Sequence, residues 1–319
     1  MREVFAQAFA LSQQIEDLTL RFQALWGLSS FYMTRGELQR ADELTEQLLA
    51  LAHRMQDSTF LLEAHYMRGL PLWWLGKFAP ALEQTEQGLA LYATQPSSSR
   101  TFLYGRDPGV YHTALAANTL WQLGYPAQAQ QRMHEALTLA QELSQPFILA
   151  YALNVSCVIA SLRREGEAVQ EWAETVITLS TDHGFTFFLA WGVILQGWAL
   201  AERGQGEERI AQIRQGLAAY QATGAELWQP YFLVLLADAC GKIGQREEGL
   251  TAVAEALSMV NKNEERWCEA ELYRLKGELI LQSGSRQEAE ACFHTAIEVA
   301  CQQSAKSWEL RAATSLARL

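Results

Sequence analysis

The chain has 319 residues, and its 25 Lys and Arg stand against 36 Asp and Glu for a formal charge of −11. At 49% hydrophobic and 19% charged it is neither disordered nor fibrous. The acidic balance repels phosphate backbones and anionic lipid, so no nucleic acid and no membrane surface is expected as partner.

From the N-terminus onward, Met1 to Asp17 lacks the continuous apolar stretch of a secretory signal. The most apolar run, Phe187 to Ala201, contains Gln196 and is shorter than the roughly 20 residues that span a bilayer. The five cysteines, Cys157, Cys240, Cys268, Cys292 and Cys301, are odd in number and have no C-x-x-C spacing. They read as free thiols in a reducing compartment, and a cytoplasmic location is expected.

A helix–turn–helix pattern recurs along the chain. Its turns fall near Gly36, Gly76, Gly124, Arg163, Gly204, Gly244 and Gly284, at successive intervals of 40, 48, 39, 41, 40 and 40 residues. Glycine suits such a turn because it adopts the left-handed conformation that ends a helix without a Cβ clash. Five residues on stands a small side chain in most repeats: Ala41, Ala81, Ala129, Ala168, Gly249 and Ala289. A small residue there lets paired helices approach closely. The longer second interval locates an insertion at residues 95–110. Within it Asp107 is placed to cap a helix that begins at Pro108, while Arg100, Tyr104 and Arg106 are candidate loop contacts.

The segment Tyr273 to Ile297 carries an aromatic (Tyr273), a helix glycine (Gly277) and Ala289, Phe293 and Ala296, and on these residues it resembles the tetratricopeptide repeat. Lys276 stands where that family has Leu, the closing proline is missing, and the period of about 40 exceeds the usual 34. Over nearly the whole chain, stretches such as FLYGRDPGV and WCEAELYRLKGELILQ resemble the C-terminal repeat region of bacterial multidomain class III nucleotidyl cyclases and signal-transduction ATPases. The resemblance implies a regulatory part, with any catalytic domain upstream. The expected fold is therefore all-α, an α-solenoid of about seven tetratricopeptide-like helix pairs in a single array over 1–319, both of whose ends read as truncated.

No catalytic motif is found. Lys77 and Lys242 follow glycines but precede Phe78 and Ile243, so no phosphate loop forms, and the six histidines lack H-E-x-x-H spacing. The chain is expected not to be an enzyme and to need no cofactor or metal. Residues sharing one face of the first helices are more informative. They give Trp26; Tyr66 and Trp73; Tyr111, Asn118 and Trp121; Leu153 and Cys157, with Asn154 nearby; Trp191 and Trp198; Tyr231 and Asp238; then Glu271, Arg274 and Glu278. In tetratricopeptide arrays this face lines the concave groove. Two readings stay open. A narrow superhelix packs the rings against neighbouring repeats, or the rings and amides form a binding channel for a protein, a peptide or a small aromatic-stacking ligand. The function expected is a regulatory or sensor module of a larger bacterial signalling protein, the alternative a stand-alone small-ligand or peptide receptor such as the sensor domains of transcription activators. Glu271 and Glu278 do not supply the basic clamp of chaperone-binding arrays.

Overall fold

Ser, Asp, Gly and Pro at the boundaries cut the chain into helices of nearly equal length. In the computed structural model, which describes residues 7, 10, 11, 17–94, 105–204 and 206–319, there are fifteen helices and no strand among the described residues. They are α1 (Leu18–Thr34), α2 (Leu38–Met55), α3 (Ser58–Trp74), α4 (Phe78–Thr94), α5 (Pro108–Gln122), α6 (Pro126–Leu143), α7 (Pro146–Leu162) and α8 (Gly166–His183). Then come α9 (Thr186–Glu202), α10 (Glu207–Ala222), α11 (Gln229–Lys242), α12 (Arg246–Asn263), α13 (Glu269–Leu281), α14 (Arg286–Gln302) and α15 (Lys306–Ala317). None is long and apolar enough to cross a membrane, among the described residues. The N-terminal end that reads as truncated, Met1 to Gln14, lies almost wholly outside the described residues.

The starts and stops have visible causes. The carboxylates of Asp17, Asp57 and Asp107 accept main-chain N–H groups in the first turns of α1, α3 and α5. Pro108, Pro126, Pro146 and Pro230 lie in first turns, where no N–H is needed. α1, α3, α5, α7 and α11 each end with paired main-chain bonds around a left-handed residue. At Gly76 these are Gly76 N–H to Trp73 O (3.0 Å) and Lys77 N–H to Leu72 O (2.8 Å). The same pair at the fourth turn centres on Arg164 (φ +63°), with Arg164 N–H to Ser161 O and Glu165 N–H to Ala160 O. The turn is thus one residue beyond Arg163, which makes the intervals on either side equal. It also puts buried Val169, not Ala168, at the close-approach position.

Odd helices line the inside of the solenoid and pack on one another from repeat to repeat, while the even helices splay outside them and make no comparable contact. Close approach between neighbouring helices depends on small residues. A Cβ added at Gly88 would lie 2.0 Å from the His112 ring, which itself bonds Leu62 O at 3.0 Å.

The superhelix winds tightly enough to stack on itself. Helix C-termini leave carbonyls without intrahelical partners, and four of these are taken by groups far along the chain. Glu226 N–H reaches Thr34 O (3.3 Å) and Arg266 N–H reaches Trp74 O (2.8 Å), each 192 residues apart. The Ser307 hydroxyl then donates to Trp121 O, and the Arg311 guanidinium to Leu162 O. One superhelical turn is therefore just under five repeats. This seam decides what the inner face can do.

Candidate functional site: the inner face of the superhelix

With the fourth turn at Arg164, residues thirteen, ten, six and three before each turn form four rows along the inner face. Trp73, Trp121, Trp191 and Trp198 all belong to these rows and are all buried, at 2%, 4%, 2% and 1% exposure. Trp73 packs on Trp267 (4.6 Å) and Trp228 (5.7 Å), Trp191 on Trp228 (4.6 Å), and Trp121 on Trp308 (4.7 Å). The bore is filled by tryptophans from the starts of α11, α13 and α15, on which Trp73, Trp121 and Trp191 pack, while Trp198 lies against Arg164 and Asp238, so the four rings are enclosed and do not line an open channel. Leu153 and Cys157 do not belong to the inner rows. Cys157 instead points to Val169 O on α8, and Tyr151, Asn154 and Ser161 take the row positions in the fourth repeat.

The polar row members divide by whether they find partners. Tyr231 shares its hydroxyl hydrogen bond with Ser161 (2.5 Å), and Trp198 Nε1–H donates to Asp238 (2.9 Å). Asn118 and Asn154 turn their amide N–H groups back to Ala114 O (3.3 Å) and Ala150 O (2.9 Å). Their Oδ1 atoms, and the Nε1 atoms of Trp73 and Trp191, are buried without a hydrogen-bond partner. These two acceptors and two donors stand on α3, α5, α7 and α9 in succession.

Toward the N-terminal half, Trp26, Glu63, Tyr66 and Tyr111 converge around Arg106. Its guanidinium carbon lies 5.1, 5.0 and 5.5 Å from the ring centres of Trp26, Tyr66 and Tyr111, and its Nη2 pairs with buried Glu63. Trp26 Nε1–H orients the same carboxylate at 2.7 Å, and Tyr111 stacks flat on Tyr151 (3.9 Å, 6°). Asp107 caps α5 and Pro108 begins it, as expected. Arg100 and Tyr104 lie outside the described residues.

Toward the C-terminal half the inner face is ionic. Arg274 forks onto Glu271 through Nε (2.7 Å) and Nη2 (2.9 Å), and Arg311 (3.3 Å) and Arg164 (3.9 Å) approach the same carboxylate. Burial alone would raise the Glu271 carboxyl, but Arg274, Arg311 and Arg164 hold it below the ordinary carboxylate range. Arg164 also pairs with Asp238 and Glu202, and Lys242 joins Glu202. Burial, with Arg164 beside it, brings the Lys242 ammonium down to about 8. A cleft of about 190 Å³ opens there between Arg164, Asp238, Lys242, Arg274, Glu278 and Gln282. An outer groove of about 700 Å³ between α8 and α10 is lined mainly by apolar carbons and glutamine amides, with no charged group.

One buried acid stands apart. Glu265 is fully enclosed beside the tryptophan plug, where Oε1 accepts Trp228 N–H (3.0 Å) and Trp267 Nε1–H (3.2 Å). Burial pushes its carboxyl up to about 8, against those two donors. A raised acid stabilises the fold below its unfolded value of 4.5 and loses that contribution as pH climbs to about 8. Glu265→Gln, which keeps an acceptor for both donors, should melt like the wild type at pH 4. By pH 8 it should gain roughly 4 kcal/mol over it. Parallel melting profiles from pH 4 to pH 8 would contradict the burial of an ionisable carboxyl.

The chain matches no family model and no curated protein. Among solved structures it is similar to a Rap protein in complex with competence and sporulation factor, at 11% identity and TM-score 0.72, over 90% of this chain and 77% of that one. It is similar to aspartyl phosphate phosphatase F from Bacillus subtilis at 12% identity and TM-score 0.62, over 91% and 73%. A signal-transduction ATPase with numerous domains and a tetratricopeptide repeat sensor, from Pyrococcus horikoshii, aligns at 10% identity and TM-score 0.51, over 99% of this chain and 52% of that one. At these identities the likeness is one of fold: a tetratricopeptide-like α-solenoid.

Proposed function

We propose that the chain is a non-catalytic protein- or peptide-interaction module with a regulatory or sensor role. It would serve a larger, cytoplasmic bacterial signalling protein whose cyclase or ATPase domain lies elsewhere in the sequence. The observation that carries this reading is the shared solenoid, over 90% of the chain, with a Rap protein crystallised with a bound factor. The fold of the repeat-sensor ATPase agrees with it. An array of paired helices offers a long surface and no built-in reaction chemistry, which suits recognition.

A second reading, a self-contained receptor for a small ligand or peptide, is favoured by one feature. The unpaired Asn118, Asn154, Trp73 and Trp191 polar atoms are two acceptors and two donors buried on the inner face, a set that matches an amide-containing ligand for which the tryptophan plug parts. Panning random twelve-residue peptides against the immobilised chain tests both. The expected result is an enriched motif whose synthetic peptide binds in the micromolar range. Binding that falls at least tenfold in Asn154→Leu favours the inner-wall receptor, and binding that does not favours an outer interaction surface. Failure of any peptide to enrich or bind would overturn the peptide-recognition reading.

A further inference from the structure

The walls of the Arg106 site are made by the repeat framework itself. Trp26 and Tyr66 stand ten residues before their turns, and Glu63 and Tyr111 thirteen before theirs. The cation is not. Arg106 belongs to the extra segment that breaks the 40-residue interval, and it follows Gly105, a left-handed residue (φ +70°) whose Cβ position is open. Three aromatic faces and a carboxylate around one point form a receptor for a delocalised cation, because ring quadrupoles and a buried negative charge both favour it. Glu63 is oriented by the Trp26 indole, so the receptor is held in shape from the framework side.

We infer that Trp26, Glu63, Tyr66 and Tyr111 form a recognition site for a guanidinium side chain of a partner, with Arg106 its resident internal occupant. This deepens the interaction-module reading by naming the chemistry of the partner. An arginine presented by a protein or peptide replaces Arg106 between the same rings and on the same carboxylate. Arg106 thereby sets a threshold: only a partner that offers further contacts displaces an occupant already paired with Glu63. Arg106 is the more exposed of the ion pair, with 18% of its side chain accessible against 5% for Glu63, so the cation and not the carboxylate is the partner nearer solvent.

The experiment uses the full chain and two probes, N-acetyl-arginine methylamide and its neutral isostere N-acetyl-citrulline methylamide. In Arg106→Ala the arginine probe should raise the melting temperature and shift the tryptophan emission with a millimolar midpoint, and the citrulline probe should do neither. The wild type should respond at least tenfold more weakly. Arg106→Lys, which keeps a cation on Glu63 and guards against a variant that does not fold, should give an intermediate response. Adding Glu63→Gln to either variant should abolish it. Folded variants that ignore the arginine probe, or answer both probes alike, would overturn the cage. Peptide panning of the wild type is unaffected by that result, so failure of the cage is distinguishable from failure of the interaction module.

Discussion

Truncating Trp121 or Trp198 to alanine should lower the unfolding free energy by about 3–5 kcal/mol each, the usual cost of deleting a large buried ring. Both are almost fully enclosed, at 4% and 1% exposure. Their failure modes differ. Trp198 lies within one superhelical turn, and its loss also strips Asp238 of an indole N–H donor. Trp121 lies on the seam. Its ring meets Trp308 edge to face, the Arg311 guanidinium lies 5.3 Å from its centre, and its carbonyl takes the Ser307 hydroxyl. Trp121→Ala should therefore release α15 first, seen as lost amide protection over Lys306–Ala317 before the rest of the array, whereas Trp198→Ala should loosen α9 and α11. Denaturant unfolding with hydrogen exchange checks both. A cost below about 1 kcal/mol at either ring would mean that it faces an open groove after all.

That distinction was beyond a local reading of the sequence. The helices, the turns and the inner-facing rows follow from short-range patterns, since a row is a matter of 3.6 residues per turn and a turn of one left-handed residue. The fourth turn shows where such patterns mislead. Arg163, Arg164 and Gly166 give no single glycine cue, and the main-chain bonds place the left-handed residue at Arg164. The one-residue slip rotated Tyr151, Asn154 and Ser161 away from the rows and brought Leu153 and Cys157 in. An even 40-residue interval from Gly124 to Gly204 was the available signal for placing the turn correctly. Glu63 stands on the same row as Tyr111 and was legible in the same way.

Closure of the superhelix was not legible. Trp228, Trp267 and Trp308 precede or begin inner helices and share no row with the stripe, yet they fill the bore, because repeats nearly five apart come into contact, Trp267 with Trp73 and Trp308 with Trp121. The small rotation between neighbouring repeats sets that distance, and a change of a few degrees per repeat would open the channel. The expected aromatic stripe is real as a row of residues, and the closed winding makes it a core. The polar side chains on the same face cannot join an apolar core without cost unless they find partners, which is why Tyr231 and Trp198 are paired with Ser161 and Asp238.

Glu271 gives the sharpest test of how the ionic half is built. Its carboxylate, 3% exposed, is forked by Arg274 of α13 and approached by Arg311 of α15 and Arg164 of the turn after α7. Replacing it with glutamine keeps the shape and removes the charge, so three guanidinium groups then face one another with less compensation. Breaking a buried ion pair from one side typically costs about 3–5 kcal/mol, because the remaining charge stays desolvated. The sign with pH follows from a carboxyl held below the ordinary range: its stabilisation is present above the unfolded value of 4.5 and is lost as pH falls through the lower folded value. At pH 7 Glu271→Gln should therefore be much less stable than the wild type, and the gap should narrow steadily below pH 4.5 as the native carboxyl protonates. Arg311 also bonds Leu162 O across the seam, so freeing it should loosen the contact between α15 and the end of α7 in the same variant. A pH-independent gap would mean that the loss comes from packing alone. No loss at pH 7 would mean that Asp238 and Glu202 already hold the arginines without it.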